Sequence, residues 1–245
     1  MYKKYFRYIR HLILPNIGFK GQDILKKSKV LCIGAGGLGS PALIYMASAG
    51  IGNIDIIDFD TVSTSNLNRQ IIFNQNDIGK IKVVCAKEYI LKLNKYINVN
   101  IYNTRVSLLN SINLIKRYDV VLDCTDNLET KFLINDIFIK SGIPVIHASV
   151  CGLEGYISIF TKKTFCYRCL YSNFNNNNYL NYGVLGPVAG IFGSLQALVA
   201  IDLLLYKFKI KNIHNFFNKI MLMDLSSFKI NVLKINKNNT CNICL

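Results

Sequence analysis

The chain of 245 residues is long enough for one α/β domain with a full hydrophobic core. A content of 51% hydrophobic and 18% charged residues excludes an intrinsically disordered protein. The net charge of +15 would suit nucleic acid or an acidic partner, but the lysines are scattered and no nucleic-acid-reading motif accompanies them, so we expect no nucleic-acid partner.

The chain opens with two predicted short helices. Aromatic and apolar residues recur at helical spacing through residues 2–14, and a second helix is expected at 21–27. Arg10 lies in the first segment and, taken alone, indicates only a solvated helix face. No apolar run typical of a signal peptide follows it, so we expect the protein in the cytoplasm or in an organelle matrix or stroma.

The next unit, Lys29–Asp60, predicts a nucleotide site. A strand at Val30–Ile33 leads into a glycine-rich turn, a helix to Ala49 and a second strand that ends at Asp58. Glycines let phosphates approach the backbone, and an acid about 20 residues later can bind ribose hydroxyls. Such a turn is most typical of nicotinamide- or flavin-dependent oxidoreductases. The candidate nucleotide-binding glycines are Gly34, Gly36, Gly37 and Gly39.

A polar loop and a helix follow Asp60. Arg69 can grip phosphate oxygens with its planar fork, and Lys82 begins a helix expected to reach about Leu93. Each cation alone is more typical of an ordinary surface charge, but two cations near a glycine-rich turn suit a triphosphate better than a hydride carrier. The further candidate nucleotide-binding residues of this stretch are Asp60, Ser65, Asn66, Leu67, Asn68 and Gln70.

A second acid is expected at the same rim of the sheet. The strand predicted at 119–124 is followed directly by Thr125, Asp126 and Asn127. Ligands bind beyond the carboxyl ends of parallel strands. We therefore predict that Asp58 binds ribose and that Asp126 binds magnesium on the phosphates, with Asn127 beside the nucleotide. The alternative is that Asp126 is only the N-cap of a helix at 128–141.

The second half of the chain is predicted to add strands at 144–148 and 155–161 and a terminal hairpin at 219–224 and 228–235. An asparagine-rich stretch at 171–182 reads as a loop that orders over a partner. The apolar segment 183–206 could mimic a membrane span, but Pro187, Gln196 and Asp202 favour a helix buried in the core or at a subunit interface. The fold class is therefore α/β, a Rossmann-like, largely parallel mixed sheet flanked by helices, with an antiparallel C-terminal extension.

Eight cysteines divide into two groups. Four are isolated among apolar residues and are predicted to be small core residues: Cys32, Cys85, Cys124 and Cys151. The others form two CxxC pairs, Cys166 with Cys169 and Cys241 with Cys244. In a chain without an export signal such pairs suggest a metal before a disulfide, the alternative being two surface dithiols.

Taken together, the motifs GAGGLGSP, SNLNRQIIF, LDCTDN, CYRCL and CNIC, in this order, resemble the MoeB/ThiF family, bacterial relatives of ubiquitin-activating enzymes. The resemblance covers nearly the whole chain. It implies one adenylation domain over residues 1–245, with the nucleotide part at about 28–150 and the zinc site, crossover loop and hairpin at about 151–245. It also implies one structural zinc held by the four paired cysteines.

The resemblance implies the chemistry as well. Members of the family bind magnesium-ATP and a ubiquitin-like sulfur-carrier protein that ends in Gly-Gly, and they join the carrier's carboxylate to AMP with release of pyrophosphate. A sulfur donor then opens the adenylate, and the sulfur goes to the thiazole of thiamine or to molybdopterin. By this resemblance Arg10, Arg69, Lys82 and Asp126 are the catalytic residues, with Arg10 reaching into the neighbouring subunit of a homodimer.

One departure from the family concerns sulfur transfer. Several relatives carry a cysteine in the loop before the long helix, where this chain has Tyr179 and no cysteine over residues 171–183. We therefore expect adenylation without an enzyme-bound sulfur intermediate, and a separate donor of cysteine desulfurase or rhodanese type. Two alternatives stay open: a sister enzyme that adenylates threonylcarbamoyl-adenosine on tRNA, and a dinucleotide-binding oxidoreductase or module. The thiamine and molybdopterin branches share every motif used above.

Overall fold

A computed structural model describes residues 5–108, 118–171, 183–210 and 216–244. The strands are β1 Lys29–Ile33, β2 Asn53–Ile57, β3 Asn98–Tyr102, β4 Val120–Asp123, β5 Val145–Cys151, β6 Glu154–Phe160, β7 Lys219–Asp224 and β8 Lys229–Lys234. The α-helices are α1 Ile9–Leu12, α2 Gly18–Lys27, α3 Gly39–Ala49, α4 Lys82–Leu93, α5 Leu128–Lys140, α6 Tyr167–Leu170 and α7 Gly186–Lys207.

All eight strands form one sheet in the order β3-β2-β1-β4-β5-β6-β7-β8. The first five in this order run parallel, and β6, β7 and β8 continue the sheet antiparallel. The predicted fold class is therefore confirmed. Strands β2 and β4 flank β1, so the residues that follow them meet at one rim, on either side of the glycine turn.

The parallel strands are apolar on both faces because helices cover both sides of the sheet. In β1, Val30 and Cys32 belong to one core cluster together with side chains of α3, α4 and α7. Leu31 and Ile33 point to the other cluster, where they meet α5 and the cysteine-rich segments. The short continuous apolar runs in the sequence are thus explained by burial on two faces.

Helix α7 carries the longest apolar stretch. Among the described helices it is the one whose length and composition would allow it to cross a membrane, but 61% of its most apolar window is buried inside the domain. Its packing is close: a Cβ on Gly193 would collide with the carbonyl oxygen of Leu38, and one on Gly186 with that of Asn68. The amino end of α7 therefore packs directly on the glycine turn and on the 65–70 loop.

Three sequence predictions differ from the structure or lie outside it. Cys151 was predicted to be a core residue, but it is exposed because β5 extends past the core to its last residue. The N-cap of α5 is Asn127, whose side chain accepts a hydrogen bond from the backbone of Thr130, so the N-cap alternative for Asp126 is wrong. The asparagine-rich stretch, from residue 172 onward and including Tyr179, lies outside the described residues.

Candidate functional site

The glycine turn is held in a shape that side chains would prevent. Gly34 has a φ of +96°, and a Cβ there would lie 2.7 Å from the carbonyl oxygen of Cys124. Its backbone nitrogen donates to the carbonyl oxygen of Ile57 at 2.8 Å, which extends the hydrogen bonding between β1 and β2 into the turn. The turn then runs directly into α3 at Gly39, so the amino end of the helix, with its partial positive charge, lies at the rim.

Asp58 fixes this turn from the neighbouring strand. It is 9% exposed, its Oδ2 accepts from the backbone of Ala35 at 2.8 Å, and its Oδ1 accepts from the backbone of Asp60 at 2.9 Å. Each carboxylate oxygen has two lone pairs, so one remains on each for a further donor such as a ribose hydroxyl. The predicted ribose acid is thus at the turn, and it also has a structural role that the sequence did not indicate.

Arg69 and Gln70 cover the turn from the polar loop. A Cβ placed on Gly37 would lie 3.5 Å from Cγ of Arg69, and one on Gly36 would lie 3.6 Å from Nε2 of Gln70. The Oε1 atom of Gln70 is buried and, within the described part of the chain, has no hydrogen-bond partner. A buried acceptor without a partner costs free energy, so this position fits a nucleotide that supplies a donor.

The rest of the loop is held by its own hydrogen bonds. Nη1 of Arg69 donates to the carbonyl oxygen of Ser65 at 2.9 Å and to Oδ1 of Asn68 at 3.0 Å. Asn66 Oδ1 accepts from the backbone of Ser63 at 3.1 Å, which leaves the amide nitrogen of Asn66 to donate elsewhere. Leu67 is half-buried and packs on the core beneath. The loop is therefore ordered before any ligand binds.

Lys82 is the first residue of α4, as predicted, and it is only 5% exposed. Its Nζ lies 2.9 Å from Oδ2 of Asp60, and its backbone nitrogen donates to the carbonyl oxygen of Asp60 at 3.0 Å. A buried ammonium with one partner has two further protons to donate, so it can bind a phosphate oxygen beside Asp60.

Asp126 and Asn127 follow β4 and are exposed at the rim. Among the described residues the carboxylate of Asp126 has no hydrogen-bond or ion-pair partner, as suits an acid that binds a cation with a ligand. Arg10 is not brought to this site. Tyr8, two residues before it, packs its ring on Gly50, the residue that ends α3 on the side of the sheet away from the rim.

A buried polar network under the rim was missed by the sequence analysis. Oδ1 of Asp123 accepts from Thr125 Oγ1 at 2.6 Å, and its Oδ2 lies 2.7 Å from Nδ1 of His147 and 3.6 Å from Nζ of Lys131. His147 Nε2 lies 2.9 Å from the hydroxyl of Tyr156. Asp123, Lys131 and His147 do not form a sequence motif with a recognisable spacing, so only the fold shows that they lie together.

The charges of this network are set by burial and by one another. Burial acts to raise the pKa of Asp123, but Lys131, His147 and Thr125 outweigh it and hold that pKa well below its usual range. Burial and then the charge of Lys131 lower the pKa of His147 to about 4, against the opposing pull of Asp123. His147 is therefore neutral at pH 7, donating from Nδ1 to Asp123 and accepting at Nε2.

The four paired cysteines converge, as predicted. Their sulfur atoms all lie within 4.8 Å of one another, with separations of 3.5 Å for Cys169 and Cys244, 3.6 Å for Cys166 and Cys241, and 3.9 Å for Cys166 and Cys169. A tetrahedral ion with Zn–S bonds of about 2.3 Å would separate its sulfurs by about 3.8 Å. The donor set and its geometry therefore fit one zinc ion without an open position.

Without a cation the thiols do not ionise together. Burial raises the pKa of Cys166 to about 12 and that of Cys244 still further. Burial also acts to raise the pKa of Cys241, but backbone hydrogen bonds from Cys244 and Ile243 lower it to about 7. A bound cation would stabilise all four thiolates, so metal binding and proton release are coupled here.

Comparison with known proteins shows which sequences this chain resembles. The model of the ThiF family matches residues 8–243. The chain is 43% identical to a probable molybdopterin-synthase adenylyltransferase of Porphyra purpurea, over 93% of this chain and 61% of that protein. It is 42% identical to the adenylyltransferase and sulfurtransferase UBA4 of Candida albicans, over 82% of this chain and 48% of that protein. The chain thus spans about half to three fifths of these relatives.

Solved structures share the fold at lower identity. E. coli MccB, crystallised with AMPCPP and MccA, superposes with a TM-score of 0.84 at 24% identity, over 99% of this chain and 74% of that one. PaaA superposes with a TM-score of 0.80 at 24% identity, over 97% of this chain and 75% of that one. At this identity the likeness extends to the fold alone.

Proposed function

We propose, since the chain belongs to the ThiF family, that it uses ATP to adenylate the C-terminal carboxylate of a ubiquitin-like sulfur-carrier protein and releases pyrophosphate. The relatives it matches are named adenylyltransferases. The observation that carries the proposal is the convergence, at one rim, of the glycine turn, two acids from strand ends and two cations. A hydride carrier would give Arg69, Lys82 and Asp126 no role.

The residues of the rim fit the steps of this reaction. The attacking carboxylate is already ionised at neutral pH, so no general base is needed. Lys82 and Arg69 would bind phosphate oxygens, hold the α-phosphate in line with the attacking oxygen and stabilise the charge that develops on pyrophosphate. Asp58 would bind the ribose, and the buried Oε1 of Gln70 would accept from the nucleotide or its substituents.

Magnesium and zinc would have separate places. Asp126 would hold magnesium, because the exposed carboxylate of Asp126 has no partner among the described residues. The bound magnesium would neutralise charge on the phosphates. The cluster of Cys166, Cys169, Cys241 and Cys244 would hold zinc in a structural role, tying the C-terminal segment to the body of the domain. Both parts share one continuous sheet, so we propose a single adenylation domain over residues 1–245.

The carrier is proposed to belong to the molybdopterin branch rather than the thiamine branch, because the relative in Porphyra purpurea is named for molybdopterin synthase. The antiparallel half of the sheet offers a surface for a protein substrate. Strand β8 is exposed along its length: Ile230 and Val232 within it are 60% and 53% exposed, and Phe228, directly before it, is 86% exposed. Sulfur would come from a donor of cysteine desulfurase or rhodanese type, without a covalent carrier–enzyme intermediate, in the cytoplasm or an organelle matrix.

A homodimer is part of the proposal. The outward face of α7 presents an apolar groove lined by Pro187, Gly190, Ile191, Ser194, Leu195 and Leu198. Ile191 and Leu198 are 41% and 51% exposed. Because this face adjoins the amino end of α7 at the glycine turn, a second copy seated on it would lie near the rim. Arg10, remote from its own rim, would then act in the neighbouring site.

Carrier-dependent ATP–pyrophosphate exchange tests the function. The purified protein should exchange label with a molybdopterin-type carrier, and not with a thiamine-type carrier or with the carrier lacking its last glycine. Arg69→Ala and Asp126→Ala should each abolish exchange without loss of fold, since both side chains lie at the surface. Glu129→Gln, which removes an exposed acid in the first turn of α5, is the matched control.

The other readings make different predictions in the same assays. Exchange with the thiamine-type carrier alone would move the protein to that branch. Modification of threonylcarbamoyl-adenosine on tRNA, with binding that weakens steeply as salt rises, would favour the sister enzyme. Tight NAD binding without any exchange would replace the proposal by an oxidoreductase or a binding module.

A further inference from the structure

Helix α5 joins the nucleotide rim to the cysteine cluster. Its N-cap, Asn127, follows Asp126 at the rim, and its second half packs against the segment Cys166–Cys169, named here the knuckle. From Asn127 to Asn135 a helix covers about 12 Å at 1.5 Å per residue. A regular helix is a rigid element, so the contacts that fix one end also set the position of the other.

The side chain of Asn135 is the central contact between α5 and the knuckle. It is 1% exposed, and its Oδ1 accepts from the backbone nitrogen of Tyr167 at 2.8 Å. Its Nδ2 lies 3.8 Å from Sγ of Cys166 and points a donor at that sulfur. A thiolate accepts a hydrogen bond far better than a thiol, so this contact is strongest when Cys166 is bound to a cation.

Two neighbours of Asn135 add to the same contact. The carboxylate of Asp136 receives three hydrogen bonds of 2.6–3.0 Å from the guanidinium of Arg168 in the knuckle. One turn earlier, the ring of Phe132 packs edge-on against that of Tyr167 with centroids 4.9 Å apart. One face of α5 is therefore fixed to the knuckle over a full turn.

The amino end of α5 is fixed to the sheet. Asn127 Oδ1 accepts from the backbone of Thr130 at 3.0 Å, and Nζ of Lys131 donates to the carbonyl oxygen of Ala148 at 3.2 Å. Lys131 also approaches Asp123, the last residue of β4. The amino end of α5, next to Asp126, is thus fixed in two ways: by its contacts with the ends of β4 and β5, and through the helix by the contacts with the knuckle.

We propose that Asn135 is a positioning residue that makes the geometry of Asp126 and Asn127 depend on the occupancy of the zinc site. With zinc bound, the thiolate of Cys166 and the backbone of Tyr167 together hold Asn135 and so the tilt of α5. Without zinc no ion joins the four sulfur atoms, so the attachment of the knuckle to the C-terminal cysteines is lost and the knuckle no longer holds the helix. The effect on ATP rests on the proposed function, whereas the effect on the helix does not.

The experiment compares Asn135→Ala with Asn94→Ala. Asn94 is the matched control because it is also fully buried and its Nδ2 makes two hydrogen bonds, to Tyr8 and to the backbone of Ala47, away from the knuckle. Zinc content, the free energy of unfolding and amide hydrogen exchange are measured on both variants. Exchange is followed at the first turn of α5, whose amides of Thr130 and Lys131 bond to Asn127.

In Asn135→Ala zinc affinity should fall about tenfold, as is usual when a metal site loses an outer partner. The first-turn amides should exchange faster, and the half-saturating magnesium-ATP concentration should rise, by a similar factor. The maximal pyrophosphate-exchange rate should change far less. Asn94→Ala should lower stability but leave zinc content, first-turn exchange and the half-saturating magnesium-ATP concentration as in the wild type. Removing zinc from the wild type with a chelator should reproduce the first-turn change, and chelation should add little to Asn135→Ala.

A second variant, Asn135→Asp, separates the bond that Oδ1 accepts from the bonds that Nδ2 donates to Cys166 and to Oδ1 of Asp136. It still accepts from Tyr167 but cannot donate to Cys166, so it should show the same first-turn change. If Asn135→Ala fails to fold, this variant and the chelated wild type carry the test. First-turn protection that is indifferent to both Asn135 and zinc would overturn the proposal even in an active enzyme. An inactive wild type with zinc-dependent protection would instead remove the proposed function and leave this inference standing.

Discussion

Nζ of Lys82 lies 2.9 Å from Oδ2 of Asp60, in a pair whose lysine side chain is 6% exposed and whose aspartate side chain is 48% exposed. The lysine is therefore held beside the glycine turn by a partner that solvent can reach. An incoming phosphate can share the ammonium with Asp60 without first rebuilding the loop. Such preorganisation spares the cost of orienting a charged group when the ligand binds.

Lys82→Ala should lower carrier-dependent pyrophosphate exchange by a factor of about 100 or more, because it removes a fixed positive charge from the phosphates. The matched control is Lys80→Ala, two residues earlier, which breaks only a 3.8 Å surface pair with Asp77. Exchange measured over a range of magnesium-ATP concentrations checks both variants. Equal losses in the two variants would contradict a specific role for Lys82.

Arg10 and Asp126 provide a test of a site shared between two subunits. If Arg10 acts in the neighbouring site, Arg10→Ala and Asp126→Ala should each be inactive, and a mixture that exchanges subunits should regain activity. Half of the randomly mixed dimers are hybrids with one intact site each, so about a quarter of wild-type activity is expected.

The control for this mixing experiment is Arg7→Ala, a neighbouring exposed arginine whose loss should leave activity unchanged. Leu198→Glu, on the exposed face of α7, should prevent both dimer formation and the recovery. A mixture without activity, although light scattering shows subunit exchange, would place Arg10 within its own chain's site or outside the reaction.

Loss of one zinc ligand should unfold the C-terminal attachment. Cys244→Ser should remove zinc from the purified protein and lower its free energy of unfolding by several kcal/mol, since metal binding and folding are coupled at such sites. Cys151→Ser is the matched control, an exposed cysteine outside the cluster. Metal analysis and urea unfolding at neutral pH check both. Full zinc content in Cys244→Ser would show that the four thiols do not form the site.

The buried His147 predicts an acid-sensitive fold. Its pKa is lowered to about 4 in the folded protein, against an ordinary value near 6.5, so the unfolded chain binds more protons between these values. The contribution of neutral His147 to the free energy of unfolding is complete above pH 6.5. It declines as the pH falls toward 4, by at most about 1.4 kcal/mol per pH unit. Asp123, whose pKa is also lowered, adds a further decline below pH 4.

Urea unfolding between pH 4 and pH 9 measures this dependence. His147→Asn keeps a donor near Asp123 but has no group that titrates in this range, so its stability should vary less than that of the wild type between pH 4 and 6.5. Above pH 7 the two proteins should run parallel. An unchanged slope in the variant would assign the acid sensitivity to other groups.

Local patterns predicted the nucleotide half of the molecule well. The strand, glycine turn, helix and acid of Lys29–Asp60 follow from spacing and turn chemistry, and Lys82 begins its helix where expected. The convergence of the cysteine pairs was also predicted, but it is the fold that brings together two pairs that are 75 residues apart in the sequence.

What failed depended on information beyond neighbouring residues. Cys151 has apolar neighbours but lies where β5 leaves the core. The helix begins at Leu128, where it was predicted, so the residue directly before it, Asn127 rather than Asp126, takes the N-cap. The network of Asp123, Lys131 and His147 joins three elements and has no period or motif to reveal it. Burial of charge is a property of the folded sheet, so only the structure could show it.

The exposed last strand has a consequence for self-association. An open edge can pair with the same edge of another molecule, which is how many sheet proteins begin to aggregate. If two copies of β8 paired antiparallel about their centres, Lys229 of one would stand opposite Lys234 of the other, at both ends. Like charges directly opposite destabilise such pairing. The lysines therefore oppose stacking of identical chains in this register, while a foreign strand that carries acids at those two positions would meet attraction.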